Sequence, residues 1–234
     1  PAPNRSPLLK PIMRRPLLAA IFLTCASVAA AQNALSEAKL KELKDATVFV
    51  KTVTDKIQST GTGFLFMKEG DAGYIATNAH VIAVPEGEKR RVTVVFLSGS
   101  RDEWVADAEP IGEDPERDLA ILRVFKAKLP KPLSVSVKAK VRETTPVFIL
   151  GFPFGELLAT SDKHPAITVG RGSVSSLPTG DDGEVAFIQI DGDINPGNSG
   201  GPVVDASGAF VGVTVAKVRG TGIGFAIPPR ELDL

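Results

Sequence analysis

The chain has 234 residues, 27 basic and 27 acidic side chains, 43% hydrophobic and 23% charged. That composition excludes a largely disordered chain and leaves room for a substantial core. Arg14 and Arg15 follow Met13, an uncharged run extends from Pro16 to Val28, and Ala29-Ala30-Ala31 precedes Gln32. This order predicts a signal peptide over residues 1–31 cleaved near Ala31, with an apolar run too short to span a bilayer, and makes residues 1–12 an over-extended start. The segment holds Arg5, Lys10, Arg14 and Arg15 and no acid, so its removal leaves 23 basic against 27 acidic groups. A mildly acidic body argues against nucleic acid as a partner, because phosphate binding wants clustered Lys and Arg. Cys25, the only cysteine, falls inside the signal, so the exported protein, periplasmic or extracellular, is expected to hold together by packing without disulfides.

Residues 34–45, ALSEAKLKELKD, predict a helix, with Leu35, Ala38, Leu40 and Leu43 spaced among charges and Ser36 as its cap. Beyond it the chain turns to short runs rich in Val, Ile, Phe and Thr bounded by Gly, Pro, Asp or Ser. These are ATVFVKTV, GTGFLFM, GYIATNA, RVTVVFL, DLAILRV, PVFILGF, VAFIQID, GPVVDASGAFVGVTVAKV and GIGFAIP. Many short strands at close spacing predict an all-β sandwich or barrel, with turns at 179–184 and 205–208. The polar, proline-containing stretch KAKLPKP at 126–132 predicts a linker between two β units, one at about 45–128 and the other at about 133–228.

Proton transfer near neutral pH most often uses histidine, and the chain has two, His80 and His164. His80 closes the run YIATNAH at a strand end, whereas His164 sits in a polar loop. A carboxylate is wanted to orient the imidazole. Asp118 opens the apolar run DLAILRV, where burial demands a hydrogen-bond partner; Asp102, Asp107 and Asp114 are competitors that spacing does not exclude. Ser199 lies in DINPGNSGGPV, residues 193–203. Attack by a serine oxygen on a carbonyl creates an oxyanion that needs preorganised N–H donors, and the amides of Gly197 and Ser199 can meet in one hollow if the glycine permits unusual backbone angles. The sequence lacks an HExxH, a cysteine pair or a phosphate-binding glycine loop, so no metal or cofactor is expected.

TNAHV at 77–81, DLAIL at 118–122 and GNSGGPV at 197–203, in that order, resemble the trypsin-like serine proteases, most closely their HtrA/Deg-type branch. GTGFLF, GFPFG and GIGFAIP are similar to segments of the same family, and the resemblance runs from about Ala46 to Pro228. It implies two six-stranded antiparallel β-barrels within a protease domain at 32–234. It also implies a triad of His80, Asp118 and Ser199, with backbone N–H groups of Gly197 and Ser199 as the oxyanion hole. By position, Asp193, Ile194, Ala216 and Lys217 would line the pocket for the side chain before the cut. Ile194 and Ala216 suit small apolar residues, and Asp193 alone would favour a basic one.

The activity implied is serine endopeptidase cleavage of unfolded or surface polypeptides, a protein quality-control role, through an acyl-enzyme. The alternative is an idle protease-like holdase. An esterase is disfavoured, because the GxSxG elbow belongs to an α/β sheet. The resemblance raises a homotrimer, and it places a PDZ module after the protease where this chain ends in IPPRELDL.

Overall fold

The computed structural model describes residues 34–137, 140–160, 162–192, 194–217 and 223–232, with the backbone alone described at Ala216 and Lys217. The expected signal segment lies outside the described residues. Helix α1 (Glu37–Ala46) begins where the Ser36 hydroxyl accepts the Lys39 N–H at 3.3 Å; Glu37 in its first turn and Lys44 in its last match the helix dipole. It ends as the chain reaches Thr47, whose hydroxyl donates to the Leu43 carbonyl at 2.8 Å.

Strands β1 (Thr47–Val53), β2 (Gln58–Glu69), β3 (Ala72–Thr77), β4 (Arg91–Phe96), β5 (Trp104–Asp114) and β6 (Leu119–Phe125) close one barrel. Their order around it is β1-β2-β3-β6-β5-β4. Strands β7 (Pro146–Gly151), β8 (Thr168–Ser176), β9 (Ile188–Gly192), β10 (Pro202–Asp205), β11 (Phe210–Lys217) and β12 (Ile223–Ile227) close the second. Here the order is β10-β11-β12-β9-β8-β7, and every pairing in both barrels is antiparallel. Closure satisfies backbone groups that an open sheet would leave at its edges. The all-β expectation holds.

Two of the twelve strands carry no apolar run in the sequence. β5 (WVADAEPIGED) exposes most of its residues, and β8 (TVGRGSVSS) is built from Gly, Ser and Arg. Both are fixed by their neighbours, since β5 pairs with β4 and β6, and β8 with β7 and β9. Near the site, β3 stops at Thr77 rather than running on through His80. His80 instead sits on a single helical turn, α2 (Ala79–Ile82), which buries Ala79, Val81 and Ile82.

Inward-facing Val48, Val50, Leu65, Ile75, Val94, Phe96 and Leu122 fill the first barrel. Val147, Ile149, Val174, Ile188, Ile190 and Val203 fill the second. A third cluster joins them. It takes Leu43 from α1, Phe64 and Leu119 from the first barrel, and Phe148, Leu150 and Phe210 from the second. The rings of Phe64 and Phe210 meet at 5.4 Å, and Phe49 meets Phe152 edge-on at 5.4 Å. Each such buried phenyl contributes about 1.5–3 kcal/mol, so the barrels are pressed together along the junction that carries the candidate site. The stretch 126–132 contains no helix or strand, and just after it Leu133 is buried and donates its N–H to the Leu65 carbonyl at 2.8 Å.

Candidate active site

Asp118 immediately precedes β6 and takes φ of 54°, a left-handed conformation that an aspartate tolerates better than most side chains. Its carboxylate reaches α2 at two points: Oδ1 accepts the backbone N–H of His80 at 3.0 Å, and Oδ2 lies 2.7 Å from His80 Nδ1. The Asn78 side-chain amide, fully buried, donates to the Asp118 carbonyl at 2.8 Å and fixes the backbone there as well. The carboxylate is about a quarter exposed and the imidazole half exposed, so one is held in protein while the other faces solvent.

Ser199 stands on the second barrel's side of the junction. Its carbonyl accepts the Thr62 N–H of β2 at 2.9 Å. Behind it the backbone is packed too closely for side chains: a methyl added at Gly200 would lie 3.0 Å from Asn78 N, and one at Gly61 would lie 2.6 Å from Val81 and 3.2 Å from Ser199 O. The segments bearing His80 and Ser199 therefore touch. Ser199 Oγ donates to the Val215 carbonyl of β11 at 2.5 Å.

Gly197 takes φ of 97°, in the region that favours glycine, and a methyl there would come within 2.3 Å of the Phe152 carbonyl. Its own carbonyl is held by the Thr62 hydroxyl at 2.7 Å, and that hydroxyl oxygen accepts the Phe152 N–H at 3.1 Å. Among the described residues the N–H groups of Gly197 and Ser199 have no acceptor, whereas those of Asn198, Gly200 and Gly201 are all used.

The β11 backbone completes the site. β10 runs beside β11 only as far as Val213, Gly200 and Gly201 bond to Thr214 beyond it, and the β11–β12 register shifts between Thr214 and Lys217. Residues 215–217 thus offer an edge on which an extended peptide could add as a further strand. Of the four residues expected to line the pocket before the cut, Ile194 is buried, and a methyl added at Gly224 of β12 would fall 2.3 Å from its Cδ1. Asp193 lies outside the described residues, as do the side chains of Ala216 and Lys217.

The competing residues go elsewhere. Asp107 pairs with Arg91 at 2.9 Å, and Asp114 pairs with Arg117 at 2.6 Å, which holds its carboxyl below the ordinary range. Asp102 is exposed in the turn between β4 and β5. His164 lies 3.5 Å from Glu103 and against the Phe49 ring. Three site residues escaped the sequence reading: Asn78, Thr62 and Val215. Thr62 carried a signal, since it stands between Gly61 and Gly63 in a strand; Val215 acts through its backbone and carried none.

The trypsin-like peptidase domain family matches residues 61–213. The chain is 37% identical over 188 residues to "Protease Do-like 1, chloroplastic" of Arabidopsis thaliana, covering 77% of this chain and 39% of that protein. It is 36% identical over 172 residues to a "Probable periplasmic serine endoprotease DegP-like" of Chlamydia trachomatis, covering 72% and 31%. The crystal structure of the serine endoprotease from Yersinia pestis superposes with a TM-score of 0.64 at 29% identity, covering 81% of this chain and 61% of that one. The chain thus spans less than half the length of the curated relatives it matches.

Proposed function

Since the chain belongs to the trypsin-like peptidase family, we propose that it is a serine endopeptidase whose catalytic residues are His80, Asp118 and Ser199. Three features support the reading. Asp118 grips His80 twice, the His80 and Ser199 segments touch, and the N–H groups of Gly197 and Ser199 have no acceptor among the described residues. The first carries most weight, because an imidazole fixed through Nδ1 by a carboxylate keeps Nε2 unprotonated and able to take a proton.

A substrate strand adds to residues 215–217 of β11, with its acyl half along that edge and its own N–H directed to the Val215 carbonyl. Ser199 Oγ then turns from Val215 to His80 Nε2. The oxygen attacks the peptide carbonyl carbon as His80 takes the hydroxyl proton, and the N–H groups of Gly197 and Ser199 receive the negative oxygen. Breaking the C–N bond sends the proton from His80 to the leaving amine. Water, deprotonated by His80, then attacks the acyl carbon, and as the ester bond to Ser199 Oγ breaks His80 returns that proton to the serine oxygen, freeing the acid. Ile194, filling the space above Gly224, suits a short apolar side chain before the cut.

Polypeptides are the proposed substrates and export the proposed destination. In support, a relative is named a "Probable periplasmic serine endoprotease DegP-like". The hydrogen bond from Ser199 to Val215 also suits a second reading, an idle binding module whose serine stays parked. A fluorophosphonate probe and an unfolded-casein assay decide between them. Labelling and casein loss, both abolished in Ser199→Ala, establish the endopeptidase. Equal casein loss in both proteins, or no adduct on Ser199, removes it.

A further inference from the structure

Resting on the endopeptidase reading, we propose that Phe154, Leu157 and Leu158 form an apolar platform for the residues that follow the scissile bond. The loop FGELL leaves β7 and enters a 3-10 turn (Gly155–Leu158) through left-handed Phe154, φ 60°. Phe154 is 48% exposed, Leu157 85% and Leu158 50%. Single apolar side chains scatter over any surface, but three within five residues at a cleft mark a binding face.

The loop is tied down on both sides. Phe154 N–H donates to the Pro196 carbonyl at 2.6 Å, one residue before Gly197. Glu156 reaches into the first barrel, where Oε1 pairs with Lys51 Nζ at 2.7 Å and Oε2 accepts the Gln58 side-chain amide at 2.9 Å. Between them Gly155 lies so close to β2 that an added methyl would fall 2.5 Å from Thr60 Oγ1. The one charged side chain of the turn is therefore drawn onto the barrel, and its apolar neighbours are left in water on a fixed backbone. An apolar surface held rigid loses little conformational entropy on binding.

Its position assigns the occupant. Ser199 is flanked by β11, through the Val215 carbonyl, and by β2, through Thr62. A peptide whose acyl half follows β11 and crosses Ser199 leaves on the β2 side, where Thr60 meets Gly155 and the 3-10 turn begins. The residues reaching the platform are the first few of the leaving segment, and the chemistry that fits is Leu, Ile, Val or Phe. Folded proteins bury such side chains, so the platform directs cleavage to unfolded polypeptide.

Two internally quenched peptides, identical up to the cut and carrying Leu-Phe or Ser-Asn after it, test this. The unaltered chain is expected to cleave the Leu-Phe peptide with kcat/KM about tenfold higher, and Leu157→Ser/Leu158→Ser to bring that ratio close to one. Leu157 is too exposed for its loss to threaten the fold. A ratio unchanged by the double variant overturns the platform, as does a self-association that the double variant abolishes without altering the ratio. Binding of the same peptides to Ser199→Ala separates the two readings. Tighter Leu-Phe binding that disappears in Ser199→Ala/Leu157→Ser/Leu158→Ser supports the platform even if the unaltered chain cleaves neither peptide, an outcome that removes only the endopeptidase reading. Equal binding of both peptides to Ser199→Ala overturns the platform however fast the chain cleaves.

Discussion

Asp118 holds His80 at both ends of a short bracket, backbone N–H to Oδ1 at 3.0 Å and ring Nδ1 to Oδ2 at 2.7 Å. The bracket sets the position of α2 and the orientation of the ring in one stroke. Both follow from a single residue in a left-handed conformation at the head of β6.

Asp118→Asn keeps the shape but can turn an NH2 toward Nδ1, favouring the tautomer with the proton on Nε2. We expect kcat on a peptide substrate to fall by about 10^3–10^4-fold while the melting temperature moves by only a few degrees. A fall of less than tenfold would mean that Asp118 does not set the tautomer of a catalytic His80.

Gly197→Ala tests the oxyanion amides. The methyl would collide with the Phe152 carbonyl, and φ of 97° is unfavourable for alanine. The backbone must rotate to relieve this, taking the Gly197 N–H with it. We expect a loss of about 10^2–10^3-fold in kcat and a stability cost of roughly 1–3 kcal/mol, read from a denaturant titration. Undiminished activity would exclude Gly197 as a donor.

Much of this was legible in the sequence wherever side-chain identity carries the chemistry. An imidazole at a strand end and a serine among glycines singled out His80 and Ser199, whereas Asp118 was separated from Asp102, Asp107 and Asp114 only by the family resemblance, and the β-branched runs announced ten strands. Glycines marked the oxyanion amides, but other backbone roles left no trace. Nothing in the letter V marks Val215 as the acceptor for Ser199, and β5 and β8 are strands because their neighbours are. The Glu156 contacts join positions 105 and 98 residues apart, which no local pattern encodes. His80 was expected at a strand end because β3 shares its small residues with the turn that follows.

Ile194→Ala should deepen the pocket before the cut. Ile194 is buried against Gly224, so truncation leaves a void and costs about 2–4 kcal/mol, measured by chemical denaturation. Cleavage of a peptide library should shift toward longer apolar side chains at that position. An unaltered preference would show that Ile194 does not bound the pocket.

The tether at Glu156 gives a pH dependence with a definite sign. The hydrogen bond from Lys51 lowers the Glu156 pKa from 4.5, burial opposing and Gln58 assisting. The folded value lies below the unfolded one, so the tether's stabilisation is complete above the unfolded value and is lost as pH falls through the folded one. Glu156→Gln should melt at most about 2 °C lower near neutral pH, the side chain being 43% exposed. The two melting curves should converge as pH falls below the ordinary glutamate range; a gap that stays constant throughout the acid range would contradict the pairing.

The tilted contact of the Phe64 and Phe210 rings, within a cluster that also takes in α1, has a mechanical result. Prying the groove between the barrels apart would bring the apolar junction itself into water. Any control over admission has to work through the thin rim of turns around the groove, leaving the two halves to melt together or not at all.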